Sequence, residues 1–302
     1  AGDPDRLSLA ATFPQFLEME RSRRSVILAL RTAHAARAKA GRVPAPGPRV
    51  TMFMALDGGL GTLVDALAER LPPGVVRLGS PVQSISRSGR GWKVSAGGEG
   101  LDADAVVMAA PSHAAARTVS GLDAGLAAQL AAIPFVSTAT VTLSYPAGSW
   151  GGRLKGFGFV VDRREARVVV AGTYSSSKFP GRAPDGSEVL RLFLGGAGRE
   201  EAVGWDEARL LSGVRTDLLR ILGADPEPAA ARVYRWPASN PQYNVGHQAL
   251  LARLEDALGP HEGLLLAGSS YRGVGIPDCV RSGSEAARRV LASAGRPKGG
   301  VV

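Results

Sequence analysis

Apolar positions change their spacing along the chain, and each change marks a different kind of element. Between residues 13 and 40, Phe16, Leu17, Met19, Val26, Leu28 and Leu30 recur at helical intervals. Pro44, Pro46 and Pro48 then end the pattern. Residues 58–71 (GGLGTLVDALAERL) read as a glycine-rich turn entering a helix. Short apolar runs predict strands at 75–78, 82–86, 92–95 and 105–109. The last of these (AVVMA) is wholly apolar and is stopped at Pro111, as in a buried strand. Helices are predicted at 112–120 and 126–132. From 137 to 194 the pattern alternates residue by residue, at 137–145, 156–161, 167–174 and 188–194. Alternation of that kind predicts an antiparallel or mixed sheet with one covered face. Two amphipathic helices follow, at 206–222 and 245–258. A short buried strand at 263–267 leads to a last helix at 278–291, and the tail to Val302 is expected to fray.

The order predicts a mixed fold, part α/β and part α+β, with a β-rich insert near 120–235 between segments that alternate strands and helices. Periodicity alone does not establish such a division, although 302 residues suffice for two domains. The 45% hydrophobic and 21% charged composition is that of a soluble globular protein. No run approaches 18 apolar residues, so no transmembrane helix is expected. Ala1 to Arg6 lack the pattern of a signal peptide, and the opening reads as the interior of a domain. Cys279 is the one cysteine, which excludes an intramolecular disulfide and fits a reducing compartment. His34, His113, His247 and His261 show no ligand spacing, so no metal is expected.

The net charge of +9 is unevenly placed. Arg21, Arg23, Arg24, Arg31, Arg37, Lys39, Arg42 and Arg49 lie in a stretch to Leu56 without an acid. A solvated helix face, a membrane-surface contact and an anionic substrate all remain open. Aromatic residues are not interleaved among the basic ones as single-stranded nucleic acid requires, and no nucleic-acid partner is assigned.

The strongest local signal is residues 264–283 (LLLAGSSYRGVGIPDCVRSG): a buried strand, a glycine-rich turn and a helix start. Gly268, Gly273 and Gly275 permit positive φ or close approach of a ligand, while Pro277 and Asp278 suit the first helical turn. A helix N-terminus there offers N–H groups to a pyrophosphate or a reduced flavin. The same residues also describe an ordinary strand–turn–helix packing unit.

This segment resembles the C-terminal flavin motif of the protoporphyrinogen oxidase family, within the flavin amine oxidase superfamily. Residues 240–247 (NPQYNVGH), 1–8 (AGDPDRLS), 22–30 (SRRSVILAL), 58–71 and 156–161 (GFGFVV) resemble other stretches of that family in the same order. The resemblance covers nearly the whole chain. It implies FAD as cofactor, a glutathione-reductase-type FAD-binding fold in segments, and a sheet-plus-helix substrate domain. The implied division is 1–47 for a helical substrate or membrane region, 48–118 and 236–302 for FAD-binding segments, and 119–235 for substrate binding. By position, Val82, Ala110, Gly268, Ser269, Val274, Gly275 and Ile276 match cofactor-binding residues, and Trp236 matches an aromatic flanking the flavin. Phe157, Gly158, Val160 and Phe193 match walls of a porphyrinogen pocket. A large flat apolar ligand with rim carboxylates needs such strand residues and a basic group at its edge. Without the family, Phe157, Val160 and Phe193 are read first as core residues.

The family's opening glycine-rich strand–turn–helix has no counterpart here, nor does its rim arginine, so the chain is expected to be the C-terminal part of an enzyme. The resemblance implies oxidation of protoporphyrinogen IX by dioxygen in heme biosynthesis. Coproporphyrinogen III is an alternative substrate, and a desaturase or amine oxidase an alternative enzyme. A basic lipid- or nucleic-acid-binding module is the non-enzymatic alternative. A cytoplasmic location, peripheral on the inner face of the membrane, is expected, and a homodimer is left open. No nucleophile–base or paired-carboxylate constellation is visible, so no acid–base residue is assigned.

Overall fold

The computed structural model describes residues 2–39, 55–89, 91–179 and 181–294. Its helices and strands follow in the order α1 (Leu9–Thr12), α2 (Pro14–Arg23), α3 (Val26–Lys39), α4 (Gly61–Ala68), β1 (Val82–Ser88), β2 (Gly91–Ala96), β3 (Glu99–Ala103), β4 (Val106–Met108), α5 (Ser112–Val119), α6 (Ala124–Ala131), β5 (Phe135–Pro146), β6 (Gly158–Val160), β7 (Val169–Tyr174), α7 (Ser175–Lys178), β8 (Ser187–Gly195), α8 (Glu207–Leu222), β9 (Ala230–Pro241), α9 (His247–Leu258), β10 (Leu264–Leu266) and α10 (Ile276–Ala294). Contacts divide the chain into two units. One comprises Ala1–Asp3, Pro48–Val75 and Phe135–Asn240, the other Pro4–Gly47, Val76–Pro134 and Pro241–Val302.

The first unit is built on a five-stranded sheet of order β6-β7-β8-β5-β9. Strands β5 and β8 pair antiparallel, from Thr138 opposite Gly195 to Pro146 opposite Ser187. Because side chains alternate across a strand, Val141, Leu143 and Tyr145 of β5 share one face with Leu190, Leu192 and Leu194 of β8. That face packs against Leu210, Val214 and Leu218, the apolar stripe of α8. The Asp206 side chain caps α8 by accepting from Arg209 N at 2.8 Å, and Gly223, at φ 71°, ends the helix. The one buried carboxylate in this core, Asp217 on α8, accepts the Val169 N–H of β7 at 3.0 Å. Tyr145 and Trp150 meet edge to face at 5.2 Å under the same sheet.

The second unit holds an antiparallel meander, β1-β2-β3, and a parallel pair, β10-β4. Leu264, Leu265 and Leu266 lie opposite Val106, Val107 and Met108. Leu265 and Ala267 pack against Ala286 and Val290 of α10. Asp123 caps α6 through Leu126 N at 2.9 Å and also meets His261 Nε2 at 2.8 Å.

The structure corrects two sequence expectations and adds two strands that the sequence reading did not assign. Residues 75–78 form turns rather than a strand, since Pro72, Pro73 and Gly74 precede them and Gly79 sits at φ 68°. The helical run from 13 to 40 is split at Arg24, which adopts φ 54° and ends α2. Strand β3 (EGLDA) went unforeseen because its partner strand, rather than its composition, holds it extended. Strand β9 was hidden by Pro237 and Pro241, which are tolerated where β9 forms the sheet edge.

Candidate functional site

Within the second unit, β4 and β10 end side by side, and the chain leaves both ends through the segments singled out in the sequence. Ala267 N donates to Met108 O at 3.0 Å. Gly268 follows at φ 100°, where a Cβ would lie 3.3 Å from Ala109 O. Ala110, Gly268 and Ser269 are thereby brought together beyond the carboxyl ends of parallel strands, the place where α/β sheets bind ligands. Ser112 N, at the start of α5, donates to Ser270 Oγ at 3.1 Å and fixes the two exits to each other. The Ser112 hydroxyl is buried without a partner among the described residues. Gly268 N in turn donates to Ser282 Oγ of α10 at 3.1 Å.

The loop from Gly268 to Gly275 is held from below by the 240–247 segment. Tyr243 Oη donates to Ser269 O at 2.6 Å and accepts from Gly273 N at 2.9 Å, so one hydroxyl spans the loop. His247 Nε2 donates to Tyr271 O at 2.7 Å, which places the neutral ring's proton on Nε2. The rings of Tyr243 and His247 stack at 4.1 Å. Burial pushes the Tyr243 phenol up and the His247 imidazole down from their ordinary values, favouring the neutral form of each. Gly246, at φ 93°, turns the chain from one partner to the other. Arg6 and Ser8 dock on the same stretch, with Ser8 N donating to Tyr243 O at 2.7 Å and Val245 N to Arg6 O at 2.8 Å. Sequence resemblance picked out these three stretches but not their joint task, because nothing in a sequence pairs residues so far apart.

At the start of α10, Asp278 accepts from Gly275 N at 3.3 Å and pairs with Arg281. The Gly275 N–H therefore has an acceptor within the chain, and the carboxylate serves the first turn as expected of a cap. Gly273, at φ 128°, would place a Cβ 2.4 Å from Asp278 Cγ, so glycine is required there. Val274 and Ile276 are exposed, at 59% and 47%. Val82 is half-exposed at the start of β1, a strand that packs on α5. A cofactor presenting a pyrophosphate and a flat ring fits these residues: the glycines clear its approach, and an orphaned hydroxyl stands at the strand ends. A separate groove of about 780 Å³ borders His261, Leu264 and Arg289, at the opposite end of β10 from this loop.

In the first unit, the sheet face opposite the α8 core carries the expected substrate residues. Register sets Val160, Ala171, Phe193 and Thr140 in one row across β6, β7, β8 and β5. Gly158, Thr173, Arg191 and Thr142 form the next row. Val160 is 85% exposed and Phe193 37%, which excludes the reading of both as core. Phe157, 57% exposed, precedes β6, and its carbonyl accepts from Tyr174 N at 3.0 Å. Trp236 lies on β9, where Ala231 and Val233 pack into the core. Alternation then turns Trp236 and Tyr234 to the opposite face, and both are exposed. Gly158, at φ 149°, passes so close to β7 that a Cβ would lie 2.1 Å from Gly172 O. Arg191 escaped the sequence reading. Its signal was the alternation of LRLFL, with three leucines in the core and Arg191 and Phe193 out.

Among the described residues no helix is long and apolar enough to cross a membrane, and no cluster could hold a metal ion.

Comparison with known proteins gives consistent matches. The family described as flavin containing amine oxidoreductase matches residues 1–291. Coproporphyrinogen III oxidase of Bacillus subtilis is 36% identical over 298 residues, which are 96% of this chain and 61% of that protein. Chloroplastic protoporphyrinogen oxidase of Nicotiana tabacum is 30% identical over 311 residues, covering 96% and 56%. A solved structure from Exiguobacterium, assigned as a protoporphyrinogen oxidase, superposes with TM-score 0.81 at 30% identity, over 97% of this chain and 61% of that one. Cyclohexylamine oxidase of Brevibacterium oxydans, 20% identical with TM-score 0.64, shares the fold. The chain thus spans about 61% of the first of these relatives.

Proposed function

The chain belongs to the flavin-containing amine oxidoreductase family, and from that premise we propose that it supplies the porphyrinogen face and part of the FAD site of an oxidase. The reaction proposed is protoporphyrinogen IX to protoporphyrin IX, with FAD as electron carrier and dioxygen as final acceptor. A second reading, oxidation of coproporphyrinogen III, is favoured by the Bacillus relative, the more similar of the two curated relatives above. The observation that carries the proposal is the glycine loop clamped by Tyr243 and His247 at the carboxyl ends of β4 and β10.

FAD, when bound, supplies the hydride-accepting chemistry. The chain's own residues bind and position. Ala110, Gly268 and Ser269 would hold the nucleotide's phosphates and ribityl chain, Val82 its adenine end, and Val274, Gly275 and Ile276 the flavin edge. Phe157, Gly158, Val160 and Phe193 would line the porphyrinogen, with Trp236 toward the flavin. No side chain here is assigned a proton-transfer role. In this reading residues 48–118 and 236–302 serve the cofactor, 119–235 the substrate, and 1–47 a peripheral contact with the inner face of the membrane in the cytoplasm.

The test is to supply each porphyrinogen, without light or metal, to the flavin-loaded protein and follow porphyrin fluorescence together with hydrogen peroxide. The expected result is stoichiometric appearance of both with at least one porphyrinogen. Flavin-loaded protein that oxidises neither, but turns over an amine, would replace the reading with that of an amine oxidase.

A further inference from the structure

We propose that Arg191 is a specificity residue that binds a carboxylate of the tetrapyrrole and favours a four-carboxylate porphyrinogen over a two-carboxylate one. The proposal rests on the porphyrinogen reading above.

Arg191 stands on β8, two strands in from the β6 edge, in register with Thr173 on one side and Thr142 on the other. Registered neighbours stand about 5 Å apart and side chains two residues along a strand about 7 Å apart, always on the same face. Its side chain therefore rises from the same surface as Phe193 and Val160, in the row that runs through Thr173 to Gly158. No Asp or Glu occupies either row. Several arginines elsewhere in this unit have carboxylates close by: Arg163 meets Asp3, Arg164 meets Asp162, and Arg215 meets Asp225 and Glu227. Arg191 pairs with no carboxylate among the described residues. Arg191 is exposed, and the apolar and hydroxyl side chains around it in these rows offer no counter-charge, so an arriving anion finds its guanidinium available. Guanidinium meets a carboxylate with two parallel hydrogen bonds, and the flanking threonine hydroxyls can add a third donor.

The position selects by substituent. The two porphyrinogens share one ring system and differ at two pyrroles, which carry vinyl groups in one and propionates in the other. A diacid needs charged partners along a single edge. A tetra-acid carries propionates around more of its rim, so a ligand lying on Phe193 and Val160 brings one over the middle of the sheet, where Arg191 waits. A vinyl group there would leave the guanidinium desolvated and unpaired.

The experiment compares Arg191→Ala and Arg191→Lys with the unsubstituted flavin-loaded protein. Steady-state KM is measured for both porphyrinogens, and fluorescence titration is done with coproporphyrin III and with mesoporphyrin, a stable diacid. Arg191→Ala is expected to weaken the four-carboxylate ligand about tenfold, the worth of one charge-assisted pairing, and the diacid little. Arg191→Lys should recover part of the loss. Arg164→Ser, on an exposed turn, is the control. Equal effects on both ligands, or none, overturn the role of Arg191 while the functional reading stands. Failure of the unsubstituted protein to bind or oxidise either ligand overturns both.

Discussion

A single phenol oxygen decides the shape of the glycine loop. Tyr243 Oη satisfies a carbonyl at one end and an N–H at the other. Tyr243→Phe keeps the stack on His247 and removes only the two hydrogen bonds. The expected outcome is a loss of about 1–3 kcal/mol in stability, read by thermal melting, and a larger fractional loss of bound flavin, read by absorbance. His247 makes a pH-dependent contribution. Burial lowers its folded-state pKa below 6.5, so the unfolded chain takes up a proton that the native ring refuses. Below 6.5, down to that lowered value, stability therefore rises with pH and falls with acid. His247→Gln, which can still donate to Tyr271 O, is expected to flatten the change in melting temperature between about pH 7 and pH 5. An unchanged slope would place the acid sensitivity elsewhere.

Elements matter here mostly through their ends and edges. Strand β6 pairs with β7 only because Gly158 lets the two backbones approach, so Gly158→Ala should unpair that edge. A cost of about 1–3 kcal/mol is expected in the melt, with loss of porphyrin binding. At the other site, a Cβ at Gly275 finds Asp278 Oδ2 at 3.1 Å, the tip of a side chain that can move, and its backbone is not left-handed. Gly275→Val should therefore keep a cooperative melt but purify with little flavin, while Gly283→Ala, whose Cβ meets open space, keeps both. Full flavin in Gly275→Val would remove that turn from the cofactor site. Helices with one apolar stripe and a capping aspartate, such as α6 and α8, were legible in the sequence, as were strands whose leucines alternate. Strands whose conformation comes from a neighbour, such as β3 and β9, were not, since their own residues argue for turns. The glycine loop was legible as a motif. Its clamp was not, because Tyr243 and Ser269 are joined by folding rather than by spacing. Arg191 was readable in principle, but only once the opposite face of β8 was known to be core.

On the scale of the whole molecule, the basic, acid-free stretch from Arg21 reaches the exposed face of α2 and α3, where Ile27, Leu28 and Leu30 are exposed as well. Arg42 and Arg49 lie outside the described residues. Apolar and basic groups together suit an anionic membrane surface, at roughly 1 kcal/mol for each cation close to it. Replacing Arg21, Arg23 and Arg24 with Ser is expected to reduce sedimentation with anionic vesicles and to leave neutral vesicles unaffected. Equal sedimentation of both proteins would rule the contact out. The two units also impose an order in time. The sheet of the first unit draws nearly all its strands from one stretch, Phe135–Asn240. The second unit closes only when Ser112 meets Ser270, 158 residues later. Long loops delay closure, and synthesis proceeds from the N-terminus. On the ribosome the five-stranded sheet can be finished while the loop from Gly268 to Gly275 is still unmade, so a nascent chain passes through a state that has its β-sheet but lacks the proposed flavin site.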